Sequence, residues 1–279
     1  MAGPLLTKEV HDVLLASSKS PPRTRGSSLE VSLDLGRSRT TVEPAADGWT
    51  WQGERYPYMQ ACKERTIYHW TEGAFAPVQR FTKSLIKLVP TEWGPPTFEI
   101  DGIKMLPTAK VSPYEDAKNK VGLIQPRGKQ ILDTCGGLGY FAAWCLAGGA
   151  SRIQSFEKSA DVLWLRSLNP WSPPASTAGG ALTLIHADVI AHIDVLPDAS
   201  FDAVLHDPPR FGTAGELYSQ AFYDQLARVL KRNGRLFHYT GTPNKLTSGR
   251  DVPGEVSKRL RNAGFDARLD GDGVLALKK

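Results

Sequence analysis

The chain has 279 residues, enough for one large domain or a catalytic domain with a smaller partner, and too few for a multi-module scaffold. Hydrophobic residues at 41% and charged residues at 23% exclude a wholly disordered chain; the net charge of +5, from 34 Lys and Arg against 29 Asp and Glu, tolerates an anionic partner without requiring one. Three cysteines (Cys62, Cys135, Cys145) without a C-x-x-C pair exclude a disulfide-stapled scaffold and a structural zinc site, so no metal is expected. No apolar run reaches membrane-spanning length, and Glu9 and Asp12 interrupt the apolar positions of the N-terminus, so the sequence reads as a soluble cytoplasmic protein.

In chain order, residues 1–28 read as a flexible N-terminal segment, because 16–28 combine Ser, Pro, Gly and basic residues without apolar periodicity; folded chain is expected from Leu29. Residues 29–111 read as a β-rich N-terminal domain. Leu29, Val31, Leu33 and Leu35 alternate with polar residues, strand-like runs recur at 66–70 and 85–89, and TFEI-DG-IKML reads as a hairpin turned by Asp101 and Gly102. The aromatic and basic mixture of 49–70 fits a strand core better than an RNA surface.

From residue 112 to 279 short apolar runs (QILDTC, RIQSF, LTLIH, FDAVLH, GRLFHYTG) alternate with helical segments, the pattern of a parallel α/β sheet with crossover helices. A helix is predicted over 214–230, with Tyr218, Phe222, Leu226 and Val229 on one face; Lys231, Arg232 and then Gly234 would stop it. Residues 170–181 read as an exposed loop, in which Trp171 either stacks on a ligand or covers a sheet edge.

The run Ile131 to Tyr140, ILDTCGGLGY, carries a strand into a glycine-rich turn and a helix, a geometry that lets backbone pass close under a nucleotide-like ligand. Glu157 ends the next strand 24 residues beyond Asp133, where an acid can accept hydrogen bonds from ribose hydroxyls, and Asp188 ends the third. The fourth ends in HDPPRF: two prolines turn the chain sharply and leave Asp207 and nearby carbonyls as acceptors facing a reacting group, which suits an amine or amide. Asp133, Glu157, Asp188 and Asp207 would thus border one crevice at the carboxyl ends of the strands.

These motifs resemble those of the class I S-adenosylmethionine-dependent methyltransferases: LDTCGGLG their cofactor loop, Glu157 the ribose acid, Asp188 the adenine-side acid, DPPR their fourth motif. More closely, PPTFEIDGIKM, LDTCGGLGY, LNPWS, HDPPRFGTAGELYS and GRLFHYTG resemble a family of predicted, mainly archaeal methyltransferases distantly similar to the spermidine synthases. The resemblance covers nearly everything after residue 29. It implies a Rossmann-like class I methyltransferase domain, seven-stranded, with S-adenosyl-L-methionine held by Asp133, Cys135, Gly137, Gly139, Tyr140, Glu157, Lys158, Asp188, Val189 and His206. Asp207, Pro208, Pro209 and Arg210 would form the catalytic turn, and Phe211, Glu216, Tyr218, His238 and Tyr239 the acceptor side. Arg210 stands where nucleobase amino-methyltransferases carry a stacking aromatic, and KMLPT replaces the family's usual Met-His-Arg-Thr. Cys135 is read as a small packing residue rather than a nucleophile. The expected activity is methyl transfer to a nitrogen of RNA or of a small molecule; the alternatives are aminopropyl transfer and a non-catalytic RNA-binding protein that keeps the fold.

Overall fold

The computed structural model describes residues 3–18, 28–175, 179–209, 214–241 and 251–279. It forms two compact units, Met1–Tyr114 with Ser167–Trp171, and Glu115–Arg166 with Ser172–Lys279.

The first unit comprises β1 (Leu5–Leu6), α1 (Lys8–Ser18), β2 (Leu29–Val31), β3 (Thr40–Ala45), β4 (Gly48–Trp51), β5 (Glu54–Tyr56), β6 (Tyr68–Thr71), β7 (Ala74–Pro77), β8 (Gln79–Phe81), β9 (Leu85–Val89), β10 (Thr97–Ile100) and β11 (Ile103–Lys104). These strands make three small antiparallel sheets, ordered β1-β6-β7, β2-β3-β4-β5 and β11-β10-β9-β8. Its core joins Leu6, Leu14, Val31, Val42, Trp49 and Tyr56, with Trp49 stacked on Tyr56 at 4.6 Å between ring centroids. The Asp101-Gly102 hairpin forms as expected: both residues have positive φ, 49° and 78°, and Ile100 pairs with Ile103.

The reading of residues 1–28 as one flexible segment is corrected over its first half. Leu5–Leu6 pair with β6, and in α1 Val10, His11 and Leu14 recur at helical spacing so that Leu14 is fully buried. The polar residues that hid this helix occupy its outer face. Residues 19–27 lie outside the described residues.

The second unit contains α2 (Pro113–Ile124), β12 (Gln130–Asp133), α3 (Tyr140–Ala147), β13 (Arg152–Glu157), α4 (Ala160–Leu168), β14 (Leu182–His186), β15 (Phe201–His206), α5 (Gln220–Val229), β16 (Leu230–Tyr239), α6 (Val252–Asn262), β17 (Phe265–Asp270) and β18 (Gly273–Lys278). Seven strands form one sheet in the order β14-β13-β12-β15-β16-β18-β17. The first five in that order are parallel, and β18 runs antiparallel between β16 and β17. The mixed α/β architecture with a large central sheet is the one expected. Central strands covered on both faces are apolar, as in Ile131, Leu132 and Ala203 to Leu205, all fully buried. The order reverses between β12 and β15, and the crevice beyond their carboxyl ends is where such sheets bind ligands.

One boundary differs from expectation. The helix does not stop at Gly234: residues 215–218 are a 3₁₀ turn, Ser219 caps α5 by accepting the Phe222 amide, and the chain passes from Val229 directly into β16. Lys231, Arg232 and Gly234 therefore belong to the strand, where an irregularity in its pairing with β15 absorbs the extra residues. A basic pair followed by glycine is a local signal; strand pairing overrides it.

Candidate active site

β12 delivers Asp133 fully buried at the start of the glycine loop. Its Oδ2 accepts a hydrogen bond from Ser155 Oγ at 2.7 Å, and its Oδ1 has no partner. Burial raises this carboxyl to about 6; the Ser155 bond, the Arg166 charge and the Cys135 backbone hold it down against the nearby Glu157. The loop is braced from below: Gly136 N–H donates to Phe156 O at 2.7 Å, Gly139 N–H to Gly136 O at 2.8 Å, and Gly137 N–H to Glu157 Oε2 at 3.0 Å. Glu157 Oε1 accepts from the Ser159 amide at 2.8 Å, and burial raises this carboxyl too. Each Glu157 oxygen thus keeps acceptor capacity for a hydroxyl pair.

The three loop glycines serve different ends. Only Gly137 (φ 49°) faces open space; a Cβ on Gly136 would lie 2.4 Å from Ser155 Oγ, and one on Gly139 (φ 82°) 2.5 Å from Arg166 Cζ. Two of the three are therefore small to make room for the protein's own buried polar groups. The sequence reading, which named Gly137 and Gly139 for the ligand, did not foresee that Gly139 also makes room for Arg166.

The remaining residues of the expected cofactor set are distributed as follows. Tyr140 opens α3 and is buried. Cys135 packs against the main core, where burial pushes its thiol well above the ordinary value. Asp188 lies half-exposed, accepting from the Ile190 amide at 3.0 Å, with the exposed Lys158 Nζ 3.8 Å away. The Val189 side chain is a core residue, which leaves its backbone alone for a ligand.

At the end of β15, Asp207 is half-buried and Pro208 buried, while Pro209 is exposed with its carbonyl accepting from Tyr218 Oη at 3.1 Å. Tyr218 thereby fastens the turn rather than leaving its hydroxyl to an acceptor molecule. Burial raises the Asp207 carboxyl to about 7, with Lys120 opposing and Asp116, Asp133 and Asp272 reinforcing the shift. Lys120, a buried residue of α2, puts Nζ 2.7 Å from Asp116 Oδ2, 3.6 Å from Asp272 Oδ2 and 3.8 Å from the Tyr239 ring centre. Burial alone would lower the lysine; the charges of Asp207, Asp116 and Asp272 outweigh it and keep the ammonium. Glu216 is exposed in the 3₁₀ turn, and Arg210 and Phe211 lie outside the described residues.

His206 and His238 were expected at the crevice; their side chains are instead turned into the interior. His206 Nε2 donates to Leu217 O at 3.0 Å and its Nδ1 accepts from Thr134 Oγ1 at 2.6 Å, while His238 meets Tyr223 Oη at 2.9 Å and Tyr239 O at 2.8 Å. Burial depresses His206 to about 4 and His238 well below its ordinary value, so both rings are neutral, edge to face at 4.4 Å. Trp171 belongs to the first unit: its Nε1 donates to Leu35 O at 3.0 Å and its ring packs on Tyr114. Sequence reasoning missed Asp116, Lys120, Asp272 and Arg166, which come from three separate segments.

No family model matches the chain. An uncharacterized protein of Methanocaldococcus jannaschii, MJ1233, is 43% identical over 203 residues, covering 72% of this chain and 69% of that protein. The chain belongs to the family of MJ1233. Among solved structures, a spermidine synthase in complex with the transition-state analogue AdoDATO superposes with a TM-score of 0.58 at 15% identity, covering 74% of this chain and 76% of that one. The spermidine synthase of Thermotoga maritima gives 0.55 at 16% identity, over 74% and 75%. At such identities the likeness establishes the Rossmann-like fold of this chain alone.

Proposed function

We propose that the protein is an S-adenosylmethionine-dependent methyltransferase acting on the nitrogen of an amine-bearing acceptor. The observation that carries this reading is Asp207: a carboxyl raised to about 7 at the end of β15, across the strand-order reversal from the buried Asp133 and its glycine loop. The residues fit the donor. Asp133 Oδ1 is a buried acceptor without a partner, the Gly137 position is open, and Glu157 retains lone pairs for ribose hydroxyls. When bound, the sulfonium supplies an electrophilic methyl carbon, and the electron pair of the broken C–S bond stays on sulfur. Asp207 accepts a hydrogen bond from the acceptor's N–H, aligns the lone pair and takes the proton released as the N–C bond forms; a carboxyl near 7 is matched to that transfer. Asp116 and Asp272 surround Lys120 with more negative than positive charge, which favours an amine over a phosphate-rich acceptor.

A second reading, aminopropyl transfer, is favoured by the extent of the superposition on spermidine synthases. One experiment separates the two: incubation with methyl-labelled donor or with propylamine-labelled decarboxylated donor, against separate small-amine, RNA and protein fractions. Methyl label in small amines is the expected result. Propylamine label establishes the second reading, methyl label confined to RNA overturns the acceptor class, and donor binding without any transfer identifies a non-catalytic protein.

A further inference from the structure

Arg166 is the most unusual buried group in the second unit. It lies on α4, is 4% exposed, and none of its three guanidinium nitrogens has a hydrogen-bond partner among the described residues. Buried polar groups are almost always paired, and a buried charge more so, because desolvation is otherwise uncompensated. The group is nonetheless closely fitted. Its Cζ, Nη2 and Nε lie 2.5, 2.6 and 2.8 Å from where a Gly139 Cβ would be, and its Nη1 lies 3.2 Å from the corresponding Gly136 position. Two glycines of the loop are thus shaped around this side chain. At the start of the same loop, Asp133 Oδ1 is likewise without a partner among the described residues, and the Arg166 charge acts on that carboxyl.

We propose that Arg166 is a positioning residue of the candidate site: lodged behind the glycine loop, its guanidinium is the fixed positive charge shared by Asp133 and Glu157, and it holds both carboxylates ready to accept hydrogen bonds from a bound adenosyl ligand. This rests on the reading of the loop as a donor site. Guanidinium suits the task because it does not lose its proton when desolvated, whereas a buried lysine does so readily. Contact with the ligand is not required, and the buried nitrogens offer none. Arg166 acts on both acids and Lys158 on Glu157, while Cys135, Cys145 and Asp207 also sense Asp133. Removing Arg166 leaves the buried Asp133 and the partly buried Glu157 without their main countercharge, so both would take up protons at higher pH than before.

The test is calorimetric titration of S-adenosylhomocysteine into the full chain, Arg166→Lys and Arg166→Met, from about pH 5.5 to 8.5. In Arg166→Met the acid limb of binding is expected to move up by about one pH unit, with a loss of about tenfold near pH 6 that shrinks to within about threefold at pH 8.5. Arg166→Lys, whose amine gives up its proton more readily when buried, should fall between the wild type and Arg166→Met. Equal loss at every pH would make Arg166 a mere prop for the loop and overturn the proposal, as would superimposable profiles. If the wild type binds no S-adenosylhomocysteine, the donor reading fails by itself. The charge relation is then decided by thermal unfolding: a deficit of Arg166→Met that grows from about pH 6 to 8 supports it, and a pH-independent deficit refutes it.

Discussion

The two units treat buried charge in opposite ways. In the first, Glu99 is 3% exposed and is answered on both oxygens, by Arg65 and by Lys87 at 3.3 Å. In the second, among the described residues, one oxygen of Asp133 is unpaired and the Arg166 guanidinium has no hydrogen-bond partner. A carboxylate with every partner supplied by its neighbours stabilises a local geometry and has nothing left to offer. One with an open acceptor, held at the end of a central strand, has capacity reserved for something else. The same contrast holds for the aromatic groups: Trp49, Tyr56, Trp70 and Phe75 pack on one another in the first unit, whereas Tyr239 in the second lies under the Lys120 ammonium.

That contrast is open to attack at four places. Asp207→Asn should reduce turnover by about a thousandfold or more while S-adenosylhomocysteine affinity stays within about threefold, and it should remove a rise in wild-type kcat/KM as pH climbs through the region near 7. Unchanged turnover would strip the second unit of its chemistry. Trp49→Ala empties a fully buried site in the first unit and is expected to lower the unfolding free energy by about 3–5 kcal/mol without altering ligand affinity; a large affinity loss in the folded variant would erase the distinction.

His206 gives a third test, through pH. Its folded value of about 4 lies below the unfolded value near 6.5, so the unfolded state binds the additional proton first. Stability is complete above about pH 6.5 and is lost as pH falls toward 4, by roughly 3 kcal/mol at most. Denaturant midpoints at successive pH values should show this slope, flattened in His206→Gln; an unaltered slope would mean that the ring is not the group being titrated. The smallest effect is that of Gly139→Ala, where the left-handed backbone and the clash with Arg166 should together cost about 1–3 kcal/mol in urea unfolding. A neutral result would show that the loop relaxes freely and would weaken the fitted relation between glycine and arginine.

What the sequence disclosed was whatever is encoded locally. Apolar runs of strand length, the Asp101-Gly102 turn and the glycine run after Asp133 each carry their geometry within a few residues, and their order suffices for an α/β sheet with acids at the strand ends. Burial of a polar side chain is not local. His206 and His238 end strands beside the crevice, yet which way a ring turns depends on Thr134, Leu217 and Tyr223 from other segments. Lys120 and Asp116 read as a surface pair at helical spacing until Asp272, more than a hundred residues later, closes the arrangement. Arg166 follows Val162 and Leu165 on the inner side of α4, a position at which a charge is easily taken for the end of an amphipathic face.

The assignment of Ser167–Trp171 to the first unit has a consequence for how the chain is made. Leu35 O and the Arg37 side chain find partners in Trp171 and Pro170, more than 130 residues further along. During synthesis, at about 5–20 residues per second, the first unit leaves the ribosome early but must wait several seconds for this short stretch before its last bonds close. A part of the chain that emerges before the second unit is thus finished after it has begun, and the second unit's first two strands, β12 and β13, are already being laid down in the interval.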